Sequence, residues 1–298
     1  KLRDRFWSGG ISNPMTAIEQ ISYLVFMKRL EDMDNHEKRL AEKRGAKYTS
    51  VFKGNEKCRW SNWIHMSAEE MLVHVRDKAF PFVKGLKGDS SLFAETMKDA
   101  VFIIPRATVL QEAVKLIDDL NITERNQDTQ GDLYEYLLSQ LNTAGENGQF
   151  RTPRHIIRMM VSLVDPRLGE TVADPAGGTA GFLVGAYQHI LKDNTSPDSI
   201  EIDEDGVPRN LVGDKLTKGK RAFLNEETLF GWDFDTTMVR FGMMNMILHG
   251  IPRPNTRYAD TLSKAFTETG KYNVVLANPP FKGSIDKSDI ADSLPKNT

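Results

Sequence analysis

The chain has little cysteine, little net charge and no long apolar run. Cys58 is the single cysteine in 298 residues, which excludes an internal disulfide framework and any cysteine-rich metal site. Six histidines are scattered without the spacing of metal ligands, so no metal is expected. Nothing approaches the roughly 18 consecutive apolar residues of a membrane-crossing helix. The richest stretch, Ile21 to Leu30, carries Lys28 and Arg29 and has no small-residue cleavage site after it, so it is not a signal peptide. No membrane partner is expected, and the cytoplasm is the expected compartment. The formal net charge of −2 lacks the basic excess of most nucleic-acid-binding domains. Any action on nucleic acid would have to rely on a local basic face or on a partner.

What is present is an ordinary globular composition, 40% hydrophobic and 27% charged, over a length that suggests about two domains. Residues 1–125 read as an all-helical domain. Apolar residues at Met15, Ile18, Ile21, Leu24, Val25 and Met27 line one face of a helix from Pro14 to Leu30, with Asn13 as its cap. Arg44 to Asn62 is polar, and Trp60 and Trp63 bracket a turn. Ser67-Ala-Glu-Glu70 spells a capping box, and Val109 to Leu120 is a second amphipathic helix. This half shows no catalytic constellation and reads as packing or partner-contact structure.

Residues 126–298 change character. After a helix from Asp132 to Leu141, Gln149-Phe150-Arg151-Thr152-Pro153-Arg154 precedes the apolar helix Ile156 to Val164, and locally it reads as a helix start capped by Thr152. A short strand, Thr171 to Ala173, then ends in Asp174-Pro175-Ala176-Gly177-Gly178-Thr179-Ala180-Gly181. That loop runs into a helix from about Ala180 to Leu191. Its glycines let backbone approach a ligand closely, and the helix N-terminus suits a carboxylate. An acidic run (Asp198 to Asp205) and a basic one (Lys215 to Arg221) read as solvated surface, the basic part being able to approach a phosphate backbone. Thr228 to Asp235 is a second strand. In a nucleoside-binding doubly wound fold its terminal Asp233 would hold ribose hydroxyls, while Asp235 caps the helix Thr237 to His249. The methionines at 238, 243, 244 and 246 read as core. Tyr258-Ala-Asp260 fits a third strand end or, equally, a turn aspartate.

Val274 to Ala277 reads as a fully buried parallel strand, closed by Asn278-Pro279-Pro280-Phe281. Two prolines remove two backbone donors. The Asn278 side-chain oxygen and the Pro279 carbonyl can both face an incoming amino group, and Phe281 offers a flat face. The bland alternative is a strand-to-loop stop.

In this order the motifs resemble those of the N6-adenine DNA methyltransferases, and more narrowly the methylation subunit of type I restriction-modification systems. The likeness extends over nearly the whole chain, including the helical half and Gly131 to Leu138. It implies an α/β chain: an N-terminal helical domain followed by a Rossmann-like domain dependent on S-adenosylmethionine. It implies that Gln149, Phe150, Arg151, Thr152 and Pro153 form the first cofactor motif, with Phe150 as the stacking ring because Arg151 stands where a second aromatic is common. It further implies that Asp174 faces the cofactor's amino group and that Pro175 to Thr179 and Gly181 line its methionyl part. Asp233 would hold the ribose with a reach one methylene shorter than the family's usual glutamate, Phe234 would lie beside the adenine, and Asp260 near the adenine's amino group. Asn278 to Phe281 become the catalytic tetrapeptide acting on a flipped adenine in double-stranded DNA, with a separate specificity subunit and a nuclease subunit as partners. Two other readings are a protein-glutamine methyltransferase, whose tetrapeptide usually ends in tyrosine, and a cofactor-binding assembly subunit without activity. Because the chain begins at Lys1 and stops soon after the tetrapeptide, it is expected to be a fragment lacking the last strands of its sheet.

Overall fold

A computed structural model describes residues 9–43, 45–86, 91–119, 134 and 152–279. The chain divides into two compact units, Lys1–Ala144 and Gly145–Thr298.

The first unit is helical: α1 (Pro14–Lys43), α2 (Trp60–Trp63), α3 (Ala68–His74), α4 (Phe80–Lys84), α5 (Leu92–Met97) and α6 (Ala107–Asp119). Asn13 caps α1, its Oδ1 accepting the Met15 N–H at 2.8 Å. Ser67 and Glu70 form the expected capping box on α3. The apolar stripe of α1 is buried from Ile18 to Met27, with Met15 half-buried, and Phe26 stacks on Phe93 at 5.5 Å between ring centroids. α1 runs well past Leu30, where the apolar stripe stops. Its continuation is held by polar pairing: Glu31 accepts from Ser61, and Asp34 accepts from Tyr48, Ser50, Val51 and Arg59. A buried carboxylate supplied with this many donors stays charged, and its pKa is held below the ordinary carboxylate value despite burial. Trp60 and Trp63, read as bracketing a turn, are both buried in α2 and meet edge to face at 4.7 Å.

The second unit is built on a parallel sheet. Its strands are β1 (Val172–Asp174), β4 (Leu229–Asp233), β5 (Asn255–Tyr258) and β6 (Val274–Val275), in the order β5-β4-β1-β6. A separate antiparallel pair, β2 (Glu201–Ile202) and β3 (Pro208–Arg209), carries the acidic run. The helices are α7 (Arg154–Val164), α8 (Gly181–Asp193), α9 (Lys218–Glu226) and α10 (Thr236–Leu248). From β1 the chain steps outward to β4 and β5, then crosses to β1's other side as β6. The strand order therefore reverses between β1 and β6, and in open parallel sheets ligands bind at such a reversal, beyond the carboxyl ends of the strands.

Two expectations are corrected. β6 is not fully buried, since Val275 is 60% exposed while Val274 and Leu276 are buried. Among the described strands β6 pairs only with β1 and so stands at an edge of the sheet, where burial on both faces is not enforced. The basic run is only partly free surface: Lys215, Lys218 and Lys220 are exposed, but Arg221 donates to the Val212 and Gly213 carbonyls. The methionines of α10 are core as read.

α7 covers α8 through Ile157 and Val161, and the approach depends on glycine. A Cβ at Gly181 would stand 2.9 Å from Ile157 Cδ1, and one at Gly185 would stand 2.7 Å from Ile157 Cγ2. Gly185→Val is therefore expected to destabilise the domain by about 1–3 kcal/mol through overpacking. In urea denaturation, Ile157→Ala should cost less in the Gly185→Val background than in the wild type. Equal costs in both backgrounds would show that the two residues are not in energetic contact.

Candidate active site at the carboxyl edge of the sheet

The loop after β1 is held from three sides. Asp174 Oδ1 accepts the Ala176 N–H at 3.1 Å, folding the chain back over the strand end. The Gly177 N–H donates to the Trp232 carbonyl at 2.8 Å, and a Cβ at Gly177 would meet that oxygen at 3.2 Å, so backbone lies directly on backbone. The Gly178 N–H donates to Asp233 Oδ2 at 2.8 Å, with Gly178 at φ +50°. Ala180 follows in the left-handed region at φ +60°, as the residue that leads into α8. From below, Asn245 of α10 donates Nδ2 to the Thr179 carbonyl at 2.8 Å, and the missing side chain of Gly242 leaves room for the Gly178 carbonyl. From β5's side, Thr261 Oγ1 donates to the Pro175 carbonyl at 2.9 Å.

Two carboxyl groups face this edge. Asp174 is 1% exposed, and burial pushes its pKa up to about 7, with the neighbouring Asp233 charge acting in the same direction. Asp233 also lies above the ordinary carboxylate value, mainly through burial. Its Oδ1 accepts the Asp235 N–H and its Oδ2 that of Gly178, so it organises the loop as well as ending β4. Asp235 caps α10 as read. Phe234 stands beside Asp233, 63% exposed. Asp260 takes the turn-aspartate role, its Oδ1 accepting the Leu262 N–H at 3.0 Å.

The loop after β6 reaches the same edge. The Leu276 N–H donates to the Ala173 carbonyl at 3.0 Å, prolonging the pairing with β1, and Asn278 follows two residues on. Asn278 Nδ2 donates to Thr152 Oγ1 at 3.0 Å. The expectation that Thr152 caps α7 is corrected: Pro153 occupies the cap position without a side-chain bond. Pro153 is held at φ −58° in extended conformation, which places Thr152 one residue farther from the helix, within reach of Asn278. The structure thus brings together Thr152, Asp174 to Gly181, Asp233 and Asn278. Gln149, Phe150, Arg151, Pro280 and Phe281 lie outside the described residues, as do most of the helix Asp132 to Leu141 and of Gly131 to Leu138.

Asn245, Gly242 and Thr261 were not read from the sequence. Asn245 is fully buried among methionines, and a lone amide in an otherwise apolar helix was the available signal. Elsewhere in this unit, His189 and Asp193, one turn apart on α8, converge with Asp165. Arg167 contacts both carboxylates and His189 bonds to Asp165, so this cluster is an ion-pair network.

A short-stranded parallel sheet, a glycine loop on its first strand and an Asn-Pro loop across the order reversal define a doubly wound domain of the methyltransferase type. Residues 125–296 match the N-6 DNA Methylase family model, and residues 1–117 match the HsdM N-terminal domain. The chain belongs to the N-6 DNA Methylase family. It is 28% identical over 301 residues to the type I restriction enzyme EcoEI methylase subunit of Escherichia coli, covering 97% of this chain and 55% of that protein. It is 26% identical to the EcoKI methylase subunit of Escherichia coli K12, covering 94% of this chain and 49% of that one. Among solved structures it resembles a modification subunit assigned to a type I restriction enzyme from Vibrio vulnificus YJ016. That likeness has a TM-score of 0.71 at 25% identity, over 91% of this chain and 56% of the other. The chain spans about half the length of the curated relatives it matches.

The raised pKa of Asp174 has a definite sign in the stability. Its folded-state value lies above its unfolded one, so the folded protein holds an extra proton between the ordinary carboxylate range and about pH 7. Stability from this group is present at low pH and is lost as pH rises through about 7. Asp174→Asn removes the titration and is expected to flatten the pH dependence, with its largest stabilisation above pH 7. Urea denaturation at pH 5 and pH 8 measures this, and an unchanged slope in the variant would show that Asp174 is ionised throughout.

Proposed function

We propose that this chain carries the methyltransferase domain of a DNA-modification subunit. In this reading it transfers a methyl group from S-adenosylmethionine to the N6 amino group of an adenine flipped out of double-stranded DNA. It works within a type I restriction-modification complex, beside a specificity subunit and a nuclease subunit. The observation that carries the reading is the meeting of Asn278 with Thr152 at the order reversal, on the edge where the Asp174 loop also ends.

The residues present suit the cofactor. Asp174 is a desolvated carboxyl whose negative charge an ammonium or sulfonium would compensate. Pro175, Ala176, Gly177, Gly178, Thr179 and Gly181 offer a closely approachable backbone, and the opening N–H groups of α8 suit a carboxylate. Asp233 retains acceptor lone pairs for hydroxyl groups, since a carboxylate can accept about four hydrogen bonds and backbone N–H groups of Gly178, Asp235 and Phe234 take up only part of that capacity. Phe234 supplies an exposed ring beside it, and Asp260 opens the loop after the neighbouring strand β5. Gln149, Phe150, Arg151 and Pro153 complete the first motif. When bound, S-adenosylmethionine supplies an electrophilic methyl group on sulfur, and the electrons of the broken C–S bond return to that sulfur.

The protein's own part is positioning. An amino group conjugated into a purine is a poor nucleophile. Asn278 Oδ1 and the Pro279 carbonyl accept its two hydrogens, which draws electron density onto nitrogen and turns its lone pair outward. By the family resemblance, Phe281 would stack on the extruded base. The nitrogen's proton leaves to solvent after the new C–N bond forms, so no strong base is needed. The family match favours DNA over a glutamine side chain as acceptor.

The test is methyl incorporation into DNA by the full-length protein assembled with its partner subunits. Asn278→Ala is expected to lower the rate on the order of 10²–10³-fold, the usual cost of losing one preorganised transition-state hydrogen bond. Calorimetric affinity for S-adenosylmethionine should be retained. Loss of cofactor binding in that variant would move Asn278 into the cofactor site. Asp233→Ala should weaken cofactor binding at least about tenfold, the scale of a lost hydrogen bond to a charged group. Unchanged affinity would remove Asp233 from the site. Wild-type protein that binds cofactor but methylates nothing would favour the assembly-subunit reading.

A further inference from the structure

We infer that Thr152 is a positioning residue for Asn278, holding its carboxamide in place at the acceptor base. The inference rests on the DNA-methylation reading and deepens it. A carboxamide presents an acceptor oxygen and a donor nitrogen of nearly the same size, and a half-turn about its last side-chain torsion exchanges them. Only the oxygen can accept an N–H from an exocyclic amino group. With nitrogen in its place, two donors would face each other. In the orientation present the nitrogen is held, Asn278 Nδ2 donating to Thr152 Oγ1 at 3.0 Å.

The anchor is itself firmly placed. Thr152 precedes Pro153, whose ring fixes φ, and the Ile156 and Ile157 N–H groups both donate to the Pro153 carbonyl. α7 is then held to α8 by the contact of Ile157 with Gly181 and Gly185. Because Thr152 does not occupy the cap position of α7, its side chain is directed to the amide rather than to the helix end. Thr152 also lies in the motif expected to hold the cofactor's methionyl end, and an inactive variant would by itself suit either role. Separate measurements of turnover and cofactor affinity distinguish them.

The experiment uses the full-length protein with its partner subunits and measures methyl incorporation, cofactor affinity by calorimetry and thermal midpoint. Thr152→Val keeps the shape and removes the acceptor. It is expected to lower kcat about tenfold, the scale of one net hydrogen bond, with the cofactor Kd and the thermal midpoint unchanged. Thr152→Ser should recover most of the rate. An unchanged kcat in Thr152→Val overturns the inference, as does a weakened cofactor Kd with kcat intact, which would assign Thr152 to the cofactor. Failure of Thr152→Ser to recover the rate also overturns it, pointing to packing by the methyl group. A wild-type complex that transfers no methyl group would defeat the underlying reading and the inference with it.

Discussion

The parallel pairing of a three-residue strand, Val172–Asp174, with a neighbour on each side is the constraint from which the site follows. Parallel neighbours end at the same edge, so whatever follows β1, β4 and β6 is delivered to one side of the sheet. Register matters because a slip of one residue would exchange the two faces of a strand. With so few ladder bonds, side chains help to set it. Asn273 Oδ1 accepts both the N–H and the Oγ1–H of Thr171, each at 2.9 Å, fixing the start of β6 against β1. At the other end the Leu276–Ala173 bond carries that alignment forward, and Asn278 inherits its position from both.

The same edge concentrates electrostatic cost. Asp174 is removed from water and Asp233 is half-buried, and backbone N–H groups are set against them: Ala176 for Asp174, and Gly178, Asp235 and Phe234 for Asp233. The bonds to Asp233 do not outweigh its burial, and for Asp174 burial prevails by a wide margin. Ala180 adds local strain by standing in the left-handed region, where a Cβ costs roughly 1–2 kcal/mol. Strain and uncompensated charge at one edge fit the ligand site proposed above. The chemistry that relieves them is positive charge and a partner for the loop's backbone.

Most of the α/β architecture was legible from sequence because its signals are local. Asp174 ending an apolar triplet, glycines at 177, 178 and 181, Asp235 before the methionine-rich α10 and Gly250 after it each act within a few residues, and the structure has each where local chemistry puts it. What was not legible depends on contacts distant in the chain. The length of α1 beyond Leu30 is set by Ser61, Arg59 and Tyr48, which pair with Glu31 and Asp34. Thr152 reads as a helix cap because Thr-Pro before an apolar run is a local signal, yet its bond partner lies 126 residues away. The exposure of Val275 depends on which strands flank β6, a property of the sheet and not of an apolar tetrapeptide. Asn245 supports Thr179 across 66 residues, so no window of sequence reveals the pairing.

The Thr152–Asn278 bond also changes how the glycines of α8 are to be understood. Gly181 belongs by spelling to the ligand loop, and Gly185 looks like a small residue inside a helix. Both are spaces into which Ile157 fits, and Ile157 stands one turn from the residue that anchors the amide. A side chain at either glycine would push α7 away from α8 and displace Thr152 with it. A hydrogen bond tolerates only a few tenths of an ångström before weakening, whereas hydrophobic contact tolerates more. Close packing between two helices on the covered face of the sheet is thereby converted into the orientation of a single carboxamide at its edge.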